Sequence, residues 1–167
     1  NQSQRVATVL ATPLSVQVKD SLGQAVSGLA LTWATANANA TIAPLTDTTL
    51  ADGTATARWT LGTVVGAQTA TLNIAGVTNP ITFSATASAD TSRVLSVVGG
   101  NTQTAAVSAT LGTSITVRLL DRFGNAIVGD SVFFADSTSG GGLVSPQAAA
   151  AVSAVPGSMP MTASRSA

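Results

Sequence analysis

Leu14, Val16 and Val18 alternate with Ser15 and Gln17, and Ile115, Val117 and Leu119 alternate in the same way with Thr116 and Arg118. Leu31 and Trp33 fall on one face of an extended chain, as do Val132 and Phe134. Ala55, Ala57, Trp59 and Leu61 alternate with Thr56, Arg58 and Thr60. A period of two sends successive side chains to opposite sheet faces, so each run predicts a strand with one buried side. Two further runs, "AQTATLNIAG" (residues 67–76) and "ITFSATA" (residues 81–87), read likewise. Gly, Pro, Asn and Asp punctuate the runs, and no amphipathic helix pattern interrupts them. The expectation is an all-β protein of antiparallel sheets, with Trp33, Trp59 and Phe134 in the core.

The pattern occurs twice. "DSLGQAVSG" (residues 20–28) returns as "DRFGNAIVG" (residues 121–129), 101 positions later, and the match extends over residues 10–35 and 111–136. "ATIAP" from Ala40 lies over "GGLVS" from Gly141. A period of about 100 residues suits one sandwich domain and is too long for a solenoid unit. The chain therefore reads as two tandem copies, residues 1–88 and residues 89–167. Within the repeated nonapeptide, Asp20 and Gly23, then Asp121 and Gly124, take the first and fourth places of a type I turn. An Asp there accepts backbone N–H bonds. Asp52 and Gly53 form a hairpin signal, since Asp-Gly tolerates positive φ. All six are expected to be structural turn residues.

The string V-x-V-x-D-x-x-G-x-x-V-x-G, an apolar strand, then D-G-T-A-x-A-x-W and G-x-x-x-A-T-L resembles the bacterial immunoglobulin-like domain of group 1. That family builds the stacked stalks of invasin- and intimin-type surface proteins. The resemblance covers residues 10–87 and, in the second copy, residue 94 to about residue 146. It implies immunoglobulin-like β-sandwiches outside a bacterial cell, used as a spacer or adhesive stalk. It implies no catalytic residue. The expected partners are other copies of the chain or flanking domains of the same type, with any host ligand left open.

The copies differ at their ends. "SRVLSVVGG" (residues 92–100) reads as a first strand of the second copy, and the first copy is expected to lack such a strand. From about residue 147 an atypical tail replaces the stretch that carries Trp59, and the later strands of the second copy are expected to be missing. Ile115, Val117, Leu119, Val132, Phe134 and Leu143 then need a cover, because each forfeits roughly 1.5–3 kcal/mol if left in water. Three arrangements stay open: a fragment with a partly disordered second copy, a tail that folds back on its own sandwich, or strands exchanged head to tail between chains. For the last, Met159, Met161 and Ala163 share one face of an extended tail, although Pro156 and Pro160 weaken it as a strand. Phe133 lies opposite Phe134 in the pleat. These four residues, Phe133 and the three of the tail, are the candidate inter-chain contacts.

Composition narrows the chemistry. Apolar residues make up 45% of the 167 and charged ones 8%, which favours a packed core over a disordered chain. Seven acidic residues, all Asp, balance seven basic ones, and without a basic stripe nucleic-acid binding is not expected. No apolar run reaches the length of a membrane span, and any export signal is expected to have been removed or left out. Cys, His, Tyr and Glu are absent, so disulfides, thiolate or imidazole metal sites and His-dependent triads are excluded. No catalytic residue, cofactor or metal is expected. The pairs Asp47 with Asp52 and Asp130 with Asp136 fall short of the 6–8 oxygens calcium takes, and read as loop positions. An adhesin or carbohydrate-binding module is the alternative function, and it would need Trp33 and Trp59 exposed as a stacking platform. Their register with Leu31, Ala57 and Leu61 points them inward instead.

Overall fold

The computed structural model describes residues 1–107, 109–134, 142–143, 148–150, 158–161 and 163–164. The chain divides into two compact units, Asn1–Ala89 and Asp90–Ala167, and every regular element among the described residues is a β-strand.

Unit 1 runs β1 (Gln2–Arg5), β2 (Leu14–Gln17), β3 (Ala30–Thr35), β4 (Thr41–Ala43), β5 (Thr46–Thr48), β6 (Thr54–Thr60), β7 (Gly66–Ile74) and β8 (Ile81–Ser88). One sheet has the order β1-β8-β7-β3-β5 and the other β2-β6-β4. All pairs are antiparallel except β1 with β8. This is an immunoglobulin-like two-sheet sandwich. Its core is the alternating face read from sequence: Leu31 and Trp33 from β3, Ala55, Ala57 and Trp59 from β6, and Ala70, Leu72 and Ile74 from β7, all buried. Ala at positions 55, 57, 70, 85 and 87 contributes little volume, so the two indoles fill much of the space between the sheets. Trp33 meets Phe83 with ring centroids 5.6 Å apart, tilted by 42°.

A strand stands at the start of unit 1, where none is expected. The sequence Gln-Ser-Gln-Arg has no apolar alternation, and β1 is held by its backbone pairing to β8. Val6 follows it into the core and donates its N–H to the Ser88 carbonyl at 2.9 Å. This strand does not flank β2, which among the described residues pairs with β6 alone.

Unit 2 contains β9 (Val94–Gly99), β10 (Ile115–Leu120), β11 (Ser131–Phe133), β12 (Gly142–Leu143), β13 (Ala148–Ala150), β14 (Ser158–Met161) and β15 (Ala163–Ser164). Its sheets are β14-β10-β9, β11-β13 and β12-β15. The tail thus does form strands after residue 147. Antiparallel β14 pairs Ile115–Arg118 of β10, the same four repeat positions that β6 pairs on β2. Met161 lies opposite Ile115, Met159 opposite Val117 and Ala163 opposite Leu143. These three tail residues, expected as inter-chain contacts, have backbone partners within unit 2. The reason is the hydrogen-bonding demand of β10, whose backbone groups on that side would otherwise lack partners.

Val117, Leu119, Ile127 and Val132 are buried, and half-buried Phe134 packs against Val117 and Val132. No described strand of unit 2 matches β7 and β8. Residues 103–106, which correspond to β1, form no strand.

Candidate interaction surface

The repeated nonapeptide folds the same way twice. Asp20 Oδ1 accepts the N–H groups of Leu22 at 2.9 Å and Gln24 at 2.8 Å; Asp121 Oδ1 accepts those of Phe123 at 2.9 Å and Asn125 at 2.8 Å. Gly23 and Gly124 close the turns at φ of 81° and 85°, a region costly for any residue with a Cβ. The chain then returns to the sheet through Val26 N–H to Val18 and Ile127 N–H to Leu119, both at 3.1 Å.

The two aspartates differ in what else they hold. Asp20 is exposed, whereas Asp121 is 2% exposed and its Oδ2 accepts the Asp90 N–H at 3.0 Å and Asn125 Nδ2 at 2.8 Å. Around it, Arg122 Nε pairs with Asp90 at 2.9 Å, Arg122 N–H donates to Ser92 Oγ at 2.8 Å, and Arg93 pairs with Asp130 at 2.5 Å. The Arg122 guanidinium lies 4.8 Å above the Phe123 ring. Residues 90–93, the incoming segment of unit 2, are thereby tied to the turn. Unit 1 has Ser21, Gln24 and Leu29 at the positions of Arg122, Asn125 and Asp130, so its turn carries no such network. Burial alone would raise the Asp121 carboxyl. Hydrogen bonds from the Asn125 side chain and from the backbone of Asp90, Asn125 and Phe123 outweigh it and hold the group below its usual range. The Asp90 carboxyl is lowered too, chiefly by the Thr91 N–H.

A second duplicated device escaped the reading of the sequence. Gln2 clamps the loop before β2, accepting the Thr12 N–H at 3.0 Å and donating to the Thr12 carbonyl at 2.8 Å. Gln103 clamps Thr113 in the same way, at 2.8 and 2.7 Å. Gln103 Nε2 also donates to the Gly100 carbonyl at 2.8 Å, fastening the end of β9. The signal was available, because Gln2 with Gln103 and Thr12 with Thr113 keep the 101-residue offset.

Exposed apolar side chains occur on both units, and in unit 2 they line one strand. Val94, Leu95, Val97 and Val98 of edge strand β9 are all exposed, and Phe133 is 79% exposed. Phe133, a candidate contact, therefore faces solvent while Phe134 turns inward.

The remaining candidate positions are turn and core residues. Asp52 accepts the N–H and hydroxyl of Thr54 at 2.9 and 2.6 Å, and the hydroxyl bond is the main cause of its lowered carboxyl. Gly53 closes that hairpin by donating to the Leu50 carbonyl at 2.9 Å. Asp47 accepts the Thr48 N–H at 2.8 Å, and Asp130 is paired to Arg93. Asp136 lies outside the described residues. Among the described residues no three metal-binding side chains cluster. Trp33 and Trp59 are each 1% exposed, so neither offers a ring face for sugar stacking.

No protein-family model matches the chain, and no curated protein matches it. Similar solved structures include the D0-D1 domain of intimin and InvD of Yersinia pseudotuberculosis. The D0-D1 domain of intimin shares 15% identity, covering 99% of this chain and 81% of its own, with a TM-score of 0.46. InvD of Yersinia pseudotuberculosis shares 17% identity over all of this chain, with a TM-score of 0.44. The chain spans 50% of that InvD chain.

Proposed function

We propose that this chain is a structural, non-catalytic segment of a bacterial surface assembly, whose tandem immunoglobulin-like sandwiches act as spacers and join neighbouring chains head to tail through exchanged β-strands. The observation that carries the reading is an apolar edge strand: Val94, Leu95, Val97 and Val98 of β9 are all exposed at the edge of the β14-β10-β9 sheet, and Phe133 of the same unit is 79% exposed. A contact between two different surfaces of one chain does not close on itself, so it propagates into a filament. The mechanism is mechanical: backbone hydrogen bonds along strand edges transmit tension, and side-chain burial sets the register. The family resemblance of the repeated turn and strand pattern supports an extracellular setting.

Sedimentation velocity over a concentration series tests the reading. Species are expected to grow beyond the dimer as concentration rises, and the double variant Val97→Ser, Phe133→Ser is expected to suppress that growth. A chain that stays monomeric at every concentration would overturn it.

A further inference from the structure

We propose that the Asp121 turn is a latch on the entry to β9, and that opening it, without unfolding the rest of unit 2, releases β9 to pair with β10 of a second copy of the chain. This deepens the strand exchange proposed above: it rests on that reading for the partner, and adds which strand moves and what holds it back. β9 has one neighbour, β10, and stands at the edge of its sheet. Its side chains add little hold, because Val94, Leu95, Val97 and Val98 are each about half exposed. The strand also lacks the usual protection of an edge. β1 carries Arg5 and β5 carries Asp47, whereas Val94–Gly99 has neither charge nor proline. The register of β9 on β10 is the same in every copy, so the seat that fits β9 of one chain fits β9 of another.

Polar groups fasten the strand at both ends. At the entry, where the ladder ends in the pair Val94 and Leu120, Asp121 Oδ2 accepts the Asp90 N–H at 3.0 Å. Arg122 grips the same segment twice, through Nε to Asp90 at 2.9 Å and through its N–H to Ser92 Oγ at 2.8 Å. Ser92 Oγ in turn donates to Asp90 Oδ2 at 3.2 Å, and Arg93 Nε meets Asp130 at 2.5 Å. The Arg122 and Arg93 side chains are 63% and 46% exposed, so their ion pairs open at small cost compared with the core. At the exit, Gln103 holds the Gly100 carbonyl at 2.8 Å and the Thr113 carbonyl at 2.7 Å. Between the two ends the pairing shifts at Thr116 and Val117, leaving Val98 unopposed on β10 just before Gly99 and Gly100. Two glycines beside a break in the ladder form a hinge. Once the entry latch opens, β9 swings about that hinge while the Gln103 clamp keeps the exit in place.

The test exploits a chain without cysteine. Ser96 and Arg118 lie opposite each other in the β9–β10 register. Two full-length variants, one Ser96→Cys and the other Arg118→Cys, are mixed under mild oxidation, so that β9 of one chain on β10 of the other brings the two thiols within disulfide reach. A disulfide heterodimer is expected above the homodimer level of either variant alone. Adding Arg122→Gln and Asp130→Asn to both chains removes two ion pairs and leaves every donor to the Asp121 carboxylate in place. Heterodimer should then form about threefold to tenfold faster, the worth of two exposed pairs. Amide exchange should quicken at Val94–Val98 and stay unchanged at Ile127 and Val132. No heterodimer above the controls, latch variants that cross-link no faster, or equal quickening at Ile127 and Val132 would overturn the proposal. The two readings fail separately. Heterodimers from a chain that never grows beyond the dimer would refute the filament and leave the latch, whereas fibres that grow without the cross-link would do the reverse.

Discussion

Asp20 and Asp121 occupy the same turn position but are expected to differ in worth. Asp20→Ala removes the acceptor for two backbone N–H groups at an exposed turn, a loss of about 1 kcal/mol. Asp121→Ala removes the acceptor for four donors: the N–H groups of Phe123, Asn125 and Asp90, and Asn125 Nδ2. A hydrogen bond to a charged acceptor is worth roughly 1.5–3 kcal/mol, and these four share one acceptor carboxylate and are not additive, so the expected loss is roughly 3–4 kcal/mol. Both tryptophans lie in unit 1, so their emission follows that unit alone, while far-ultraviolet circular dichroism follows both. With about 4–8 °C per kcal/mol for a unit of this size, Asp20→Ala should lower the fluorescence transition by roughly 4–8 °C. Asp121→Ala should leave that transition in place and lower the dichroism-only transition by more than about 10 °C. Equal shifts for the two variants, or a fluorescence transition that moves with Asp121→Ala, would refute the assignment of the network to unit 2.

Trp59→Ala should cost unit 1 about 3–5 kcal/mol in urea unfolding, because the ring is buried among small Ala neighbours that cannot close the cavity. Iodide should quench native tryptophan emission weakly and unfolded emission strongly; strong native quenching would contradict the burial of both rings. Gln68→Ala should cost unit 1 about 2–3 kcal/mol by thermal unfolding, since this buried amide accepts the Gly62 N–H at 2.7 Å and donates to the Val64 carbonyl at 2.8 Å. The carboxyls of Asp90 and Asp121 are lowered in the folded unit. Their contribution is therefore present above an unfolded pKa of about 4 and lost as pH falls through the lower folded values. The unit 2 transition should drop on acidification below about pH 4, and a transition unchanged down to about pH 2 would contradict this.

What could be read in advance was whatever alternates. The β6 run, with its Ala, Trp and Leu on one side, and the Asp-Gly turns carry their structure in single residues, so period and turn chemistry suffice to find them. β1 was invisible because Gln2–Arg5 owes its strand to the β8 edge and to Val6 beyond it, a tertiary cause with no local pattern. β14 was half legible: Met159 and Met161 share one face of an extended tail and Pro160 argues against a strand, but the unmet backbone of β10, which pairs Ser158–Met161, is a tertiary cause. Thr49 reads as one more polar loop residue, but its buried hydroxyl donates to the Val26 carbonyl at 2.6 Å and accepts the Leu29 N–H at 2.9 Å.

The most direct test of the central claim is the mass and shape of the chain in dilute and concentrated solution, by light scattering with negative-stain electron microscopy. Edge-mediated head-to-tail joining predicts unbranched fibres with a regular axial repeat, lengthening with concentration. Uniform monomers across the whole range would contradict it.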